Sequence, residues 1–215
     1  MSTVFSSAKV WRCAVVVASL LGAAALARAA DSGASAVVNR LDDTLIDVMK
    51  DGQSLGYQGR FQRLQPVMQE VFALDYMAEK SLGQHWSELN EADRATWRKL
   101  FGEFTVANYA ANFDRFTGQR FDMLGEEAST NDTTLVKTKV ISPGTDDVAL
   151  IYRLKKIGGA WKIIDVFLKG TVSELALRRA DYTSAFERNG FAALATMLRG
   201  KIADLAAGRG KREHP

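Results

Sequence analysis

Residues 161–176 read Trp161-Lys162-Ile163-Ile164-Asp165-Val166-Phe167-Leu168-Lys169-Gly170-Thr171-Val172-Ser173-Glu174-Leu175-Ala176. The first half alternates as a strand does, and the second half opens a helix. By the period-2 rule Trp161, Ile163 and Phe167 fall on one side, and Ile164, Val166 and Leu168 on the other. A strand that is apolar on both faces needs cover on both. Gly170 can take backbone angles that other residues resist. Thr171-x-x-Glu174 has the form of a capping box that starts the next helix, and Arg178-Arg179-Ala180-Asp181-Tyr182 and Phe186 follow on it.

Working back from this stretch, three more segments alternate: 121–128, 133–142 and 147–157, with 160–169 as the fourth strand. Asn131-Asp132 and Pro143-Gly144 are turn signals, and Gly158-Gly159 is a two-residue hairpin signal. Turns this short make neighbouring strands antiparallel. Before the strands the period is helical. Val37, Val38, Leu41, Leu45, Val48 and Met49 mark one helix, and Gly52, Gly56 and Gly59 are expected to end it in a loop. Phe61, Leu64, Met68 and Phe72 mark a second, with Pro66 early enough to be tolerated. A short third spans 74–82. Asn90 caps the longest, predicted over 91–116, with Glu91 and Asp93 suiting the helix dipole. Two helices close the chain, 172–188 and 191–206, broken at Gly190. Helices, an antiparallel meander and helices again define an α+β fold.

The N-terminus has the form of a secretory signal peptide, residues 1–29: Lys9 and Arg12, an apolar run from Cys13 to Leu26, then Ala27-Arg28-Ala29. The run is shorter than the roughly 20 residues a membrane span needs. Lys9, Arg12 and Arg28 account for the whole formal charge of +3, since no acidic residue precedes Asp31. The remainder is neutral, so the basic isoelectric point gives no support for nucleic-acid binding. The single cysteine, Cys13, leaves with the leader, so no disulfide is expected. One domain is expected over 30–207, followed by a disordered tail, 208–215.

Catalytic patterns are scarce. The only histidines are His85 and His214; the first reads as a helix-end or surface residue and the second lies in the tail. Neither zinc-ligand spacing nor a nucleophile elbow, phosphate loop or dinucleotide fingerprint is present, and no cofactor is implied. Asp165 stands out as a carboxylate in an apolar strand. Buried, it could act as a base; the commoner arrangement is an ion pair, here with Arg153 or the Arg178-Arg179 pair.

The strand–Gly–helix passage resembles the signature of the MlaC-like family, the soluble lipid-shuttle components of a transporter, also called toluene-tolerance auxiliary proteins. The shared elements are Asp165-Val166 and the Gly-Val-Ser motif, stretched here by one residue to Gly170-Thr171-Val172-Ser173. That departure, with Glu174-Leu175-Ala176 and Arg178-Arg179, looks more like the hopanoid-associated HpnM branch. The resemblance extends to 101–109 and 190–198. It implies a curved four-stranded antiparallel sheet packed against a multi-helix layer and enclosing an apolar pocket. It also implies a periplasmic, non-enzymatic role: carrying a hopanoid or phospholipid between an inner-membrane lipid transporter complex and the outer membrane, where a lipoprotein complex is the partner.

The residues themselves show where a lipid would go. In the long helix Trp97, Leu100, Phe101, Phe104, Ala107 and Ala111 share the core arc, while Val106, Tyr109, Phe113 and Phe116 form a second apolar arc in its C-terminal half only. Val148, Leu150, Tyr152 and Leu154 share a strand face. The candidate lipid-binding residues are Met68, Phe72, Tyr109, Phe113, Phe116, Tyr152, Ile164, Val166 and Leu168. A ligand-free adaptor that docks a transporter would instead have a fully packed core, and an isomerase on this scaffold would rely on Asp165.

Overall fold

A computed structural model describes residues 33–210 together with Met1. The expected leader and the end of the expected tail, including His214, lie outside the described residues. Among the described residues, five α-helices, α1 (Ala34–Lys50), α2 (Gly52–Val71), α3 (Leu74–Leu82), α4 (Glu91–Asn112) and α5 (Glu174–Ala206), and a 3-10 turn at Gly83–Glu88 accompany five strands. These are β1 (Arg120–Ser129), β2 (Thr133–Ile141), β3 (Val148–Ile157), β4 (Ala160–Leu168) and β5 (Val172–Ser173). The strands form one antiparallel sheet in chain order. The α+β expectation holds, but the sheet has five strands rather than four. The fifth is two residues long, pairing Val172 with Leu168 and Ser173 with Phe167.

The turns between strands follow from local chemistry. Asn131 and Asp132 both take positive φ (58° and 56°), as do Gly158 and Gly159 (60° and 83°). Two successive left-handed residues make the primed turns whose twist matches a hairpin.

Helices cover one sheet face. Val38, Leu41, Leu45 and Val48 of α1 are fully buried at helical spacing. The N-terminus of α1 has no acidic residue of its own in the first turn. Glu126 of β1 supplies the charge, its Oε2 accepting from the Ser35 N–H (3.0 Å) and hydroxyl (2.7 Å). Trp97 of α4 centres the core, edge-on to Tyr182 at 5.0 Å. Its indole N–H donates to the Ala78 carbonyl and the Ser81 hydroxyl, both at 3.1 Å, so its burial leaves no polar atom unmet.

Two expectations about the elements are corrected. The glycines at 52–59 are helical: α2 begins at Gly52 and is only interrupted at Gly56 (φ 58°). Gly52 packs so closely on α4's end that a Cβ there would collide with the Asp114 carbonyl. Buried Arg60 locks this junction by donating to the carbonyls of Ala110 (2.8 Å) and Gly52 (2.7 Å). Second, α4 stops at Asn112, four residues short of Phe116. The expected break at Gly190 holds: its angles are non-helical (φ 74°, ψ 176°) and divide α5 into two helical stretches between Glu174 and Ala206.

The most consequential correction lies in β4. Arg153 pairs with Asp165 and Leu154 with Ile163, so Ile164 is a surplus residue, a β-bulge. Ile163, Val166 and Leu168 therefore oppose Leu154, Tyr152 and Leu150, and all six share the helix-covered face. Strict alternation had put Ile163 with Phe167 and Ile164 with Val166.

Candidate functional site

Between the end of α4 and the helix-covered face of the sheet lies a cleft of about 360 Å³. Val148, Leu150, Tyr152, Val166 and Leu168 supply its sheet wall. Asn108, Tyr109, Asn112 and Phe113 supply the α4 wall, and Phe72 and Met77 enter from the α2–α3 junction. Lys169, Glu174, Leu175 and Arg178 line the side where β4 passes into β5 and α5. The apolar groups form the walls and the charged groups gather at that one corner, an arrangement suited to an amphipathic ligand.

The α4 wall is an aromatic ladder. Tyr109 and Phe113, one turn apart, stack at 5.5 Å, and Phe72 meets Tyr109 edge-on at 5.9 Å. Phe72 is pinned through its backbone: its N–H bonds to the Met68 carbonyl (3.0 Å) and the next N–H, of Ala73, to the Ile163 carbonyl of β4 (2.9 Å). Phe72 also borders a second hollow of about 530 Å³. In that hollow Asp75, Arg98, Lys99, Glu103 and Lys162 stand among apolar Leu74, Tyr76, Val106 and Ile157.

Of the nine residues singled out from the sequence, six line the cleft: Phe72, Tyr109, Phe113, Tyr152, Val166 and Leu168. Three do not. Met68 is fully buried in the core. Phe116, beyond the end of α4, is 38% exposed, with the Lys50 ammonium 5.9 Å from its ring centre. Ile164 is the bulge residue, buried outside the cleft lining. Leu150, Val148 and Met77 were not singled out, although Leu150 and Val148 share the strand face of Tyr152 that the alternation exposes. Lys169 carried no functional signal in the sequence, and Arg178 entered only through the Arg178-Arg179 pair, as a partner for Asp165 and as part of the family resemblance.

Beneath the cleft floor, the Tyr152 hydroxyl donates to Asp42 Oδ1 of α1 at 3.3 Å. Burial pushes the Asp42 carboxyl up to about 8; the Tyr152 hydrogen bond opposes this and the neighbouring Asp43 adds to it. The Tyr152 hydroxyl itself is raised well above its ordinary range, chiefly by burial and then by the Asp42 charge.

Asp165 does not form the expected ion pair. Its Oδ1 accepts from the N–H groups of Val166 (2.8 Å) and Leu175 (3.1 Å), and its Oδ2 from the Ser173 hydroxyl (2.6 Å). Ser173, not Thr171, caps α5, its Oγ accepting from the Ala176 N–H at 2.9 Å. Pairing of Val172 and Ser173 into the sheet moves the helix start past the apparent capping box. Arg153 lies over the Phe167 ring (4.9 Å) and Arg178 over Phe104 (4.9 Å), with Arg178 donating to the Thr105 hydroxyl at 3.2 Å. His85 is also not a surface residue: it is buried, stacked on Phe186 at 4.6 Å, with its two ring nitrogens at Glu88 (2.8 Å) and Glu187 (3.2 Å). Burial works against its charge, but the two carboxylates prevail and raise its pKa.

The link from β4 to β5 has its own geometry. Lys169 (φ 53°) and Gly170 (φ 74°) form a primed turn closed by the Thr171 N–H on the Leu168 carbonyl (3.3 Å). Glycine suits such a position, whereas a lysine there costs about 1 kcal/mol.

The fold and cleft are those of a small binding protein in which a sheet and a helical layer embrace a hollow. The sequence profile of the MlaC protein family matches residues 39–200, and the chain belongs to that family. Among solved structures, a phospholipid-binding protein from Ralstonia solanacearum, determined in complex with a phospholipid, shares the fold with a TM-score of 0.71 at 21% identity. The match covers 80% of this chain and 98% of that one. A comparison with curated proteins found no match.

Proposed function

We propose that this chain is a periplasmic lipid carrier that holds the hydrocarbon of one membrane lipid in the cleft and leaves its head group at the charged corner. The cleft itself carries this reading: an apolar hollow of about 360 Å³ roofed by an aromatic ladder, in a member of the MlaC family. The phospholipid bound by the Ralstonia solanacearum protein of the same fold supports it.

The energetics define the task. Each CH₂ moved into water costs roughly 0.8 kcal/mol, so an acyl chain costs about 10 kcal/mol to withdraw from a bilayer. A carrier must replace that cover with its own apolar walls. On this reading, the protein shuttles a hopanoid or phospholipid between an inner-membrane transporter and an outer-membrane lipoprotein complex. The stretched Gly170-Thr171-Val172-Ser173 motif is the feature that favours a hopanoid.

Native mass spectrometry of protein released from the periplasm tests the proposal, with an organic extract scored for triterpenoids against glycerophospholipids. One co-purified lipid per chain is expected. Lipid-free protein that also takes up no lipid from vesicles would overturn the proposal in favour of an adaptor without cargo.

A further inference from the structure

Two cations stand at the corner where the cleft meets β4, β5 and α5. Lys169 is exposed and Arg178 half-buried, and both line the hollow. Among the described residues neither forms an ion pair with a carboxylate. Arg178 is held over the rings of Phe104 and Phe101 and donates to the Thr105 hydroxyl, which fixes its position at the cleft. Among the described residues that line the cleft, Glu174 is the one acidic side chain.

The backbone at Lys169 is the second observation. A primed turn favours asparagine, aspartate or glycine at its first central position, and this chain places a lysine there in the left-handed conformation. The turn itself gains nothing from that choice. What the lysine provides is an ammonium at the cleft mouth, one residue from Leu168 of the apolar wall. Strain held at such a place marks a site where the side chain is needed.

We infer that Lys169 and Arg178 form a receptor for an anionic head group, so that the cleft prefers lipids bearing a net negative charge over zwitterionic or uncharged ones. The inference rests on the lipid-carrier reading and, of its two cargoes, points to a phospholipid of net negative charge rather than an uncharged hopanoid. A phosphate held here would accept charge-assisted hydrogen bonds from a primary ammonium and a guanidinium while its tail lies against Leu168, Val166 and Leu150.

The experiment measures uptake of fluorescent phosphatidylglycerol and phosphatidylcholine by lipid-extracted protein at low salt. Three proteins are compared: the wild type, Lys169→Asn, and Lys169→Asn with Arg178→Gln. Asparagine suits the primed turn, so the single variant should keep its fold, checked by thermal unfolding. A preference of about tenfold for the anionic lipid is expected in the wild type, falling to about two- or threefold in the single variant and vanishing in the double. The preference should shrink with added salt. Equal uptake of both lipids by wild type and variants would overturn the inference and leave the carrier reading standing, whereas failure of the wild type to take up either lipid would defeat both. Inorganic phosphate at millimolar concentration is the remaining arm. If it displaces the anionic lipid as well as unlabelled phosphatidylglycerol does, the site binds free phosphate and the head-group assignment fails.

Discussion

Replacing Asp42 with asparagine should make this protein more stable at neutral pH, by an amount that depends on pH in a defined way. Asp42 is 5% exposed in α1 and receives the Tyr152 hydroxyl. Its carboxyl rises from an ordinary 3.8 to about 8 on folding, because burial disfavours the charge more than the Tyr152 hydrogen bond favours it. Below pH 4 both the folded and the unfolded chain hold the proton. Between about pH 4 and 8 the unfolded chain releases it and the folded chain keeps it. Each unit of pH in that window therefore destabilises the folded state by about 1.4 kcal/mol, and by pH 7 the loss reaches about 4 kcal/mol. Asparagine is neutral in both states and keeps an acceptor for Tyr152, so Asp42→Asn should match wild type near pH 4 and exceed it by about 4 kcal/mol at pH 7. Urea unfolding at half-unit pH steps from 4 to 8 measures the difference. Lipid-extracted protein is needed because bound ligand adds its own stability. A difference that stays constant across this range would refute the reasoning, since it would mean that Asp42 titrates alike in both states.

Val166→Trp should fill the cleft from its floor and abolish lipid co-purification while costing about 1–3 kcal/mol of stability, read by native mass spectrometry and denaturant unfolding. Asp165→Ala removes the acceptor for three donors, two of them at the start of α5, and should cost about 2–4 kcal/mol in the same unfolding assay, with Leu175 among the first amides to lose exchange protection. His85→Gln should lower the melting temperature most at pH 5–6. The raised pKa of His85 means its charged form adds stability below the unfolded value of 6.5, and that gain is lost as pH rises through the folded value. The deficit of the variant should therefore shrink toward pH 8. Trp97→Ala should cost about 3–5 kcal/mol and is expected to leave the protein unfolded or nearly so at 37 °C by circular dichroism.

The elements legible in the sequence were those whose cause is local. The buried stripe Val38, Leu41, Leu45 and Val48 repeats at helical spacing, and Asn90 caps α4 through the Asp93 N–H. The glycine and Asn-Asp turns announce their hairpins. What escaped depends on pairing between distant segments. Nothing local distinguishes Ile164 from its neighbours; only the register against β3 makes it the surplus residue. Nor does periodicity separate a core wall from a cleft wall. Met68 and Phe72, one helical turn apart, look alike in sequence, yet the first is enclosed by core and the second borders two hollows. Phe116 continued an apolar arc that needs four more helical residues than α4 has. The partners of Asp165 were misread because charge suggested arginine, whereas the two-residue strand β5 brings backbone N–H and hydroxyl donors to it instead.

The bulge in β4 acts as a phase shifter. Odd-numbered Ile163 and even-numbered Val166 both face inward only because one residue between them is skipped in the pairing. Had the alternation run on unbroken from Ile163, the carboxylate of Asp165 would sit in the hydrocarbon lining and Val166 would be turned away from it. Ile164 is therefore the position in β4 whose deletion would leave both flanking stretches facing as they do now. Losing Asp165, by contrast, would cost α5 its N-terminal latch, because the side chain next to the spare residue is the one that anchors the helix.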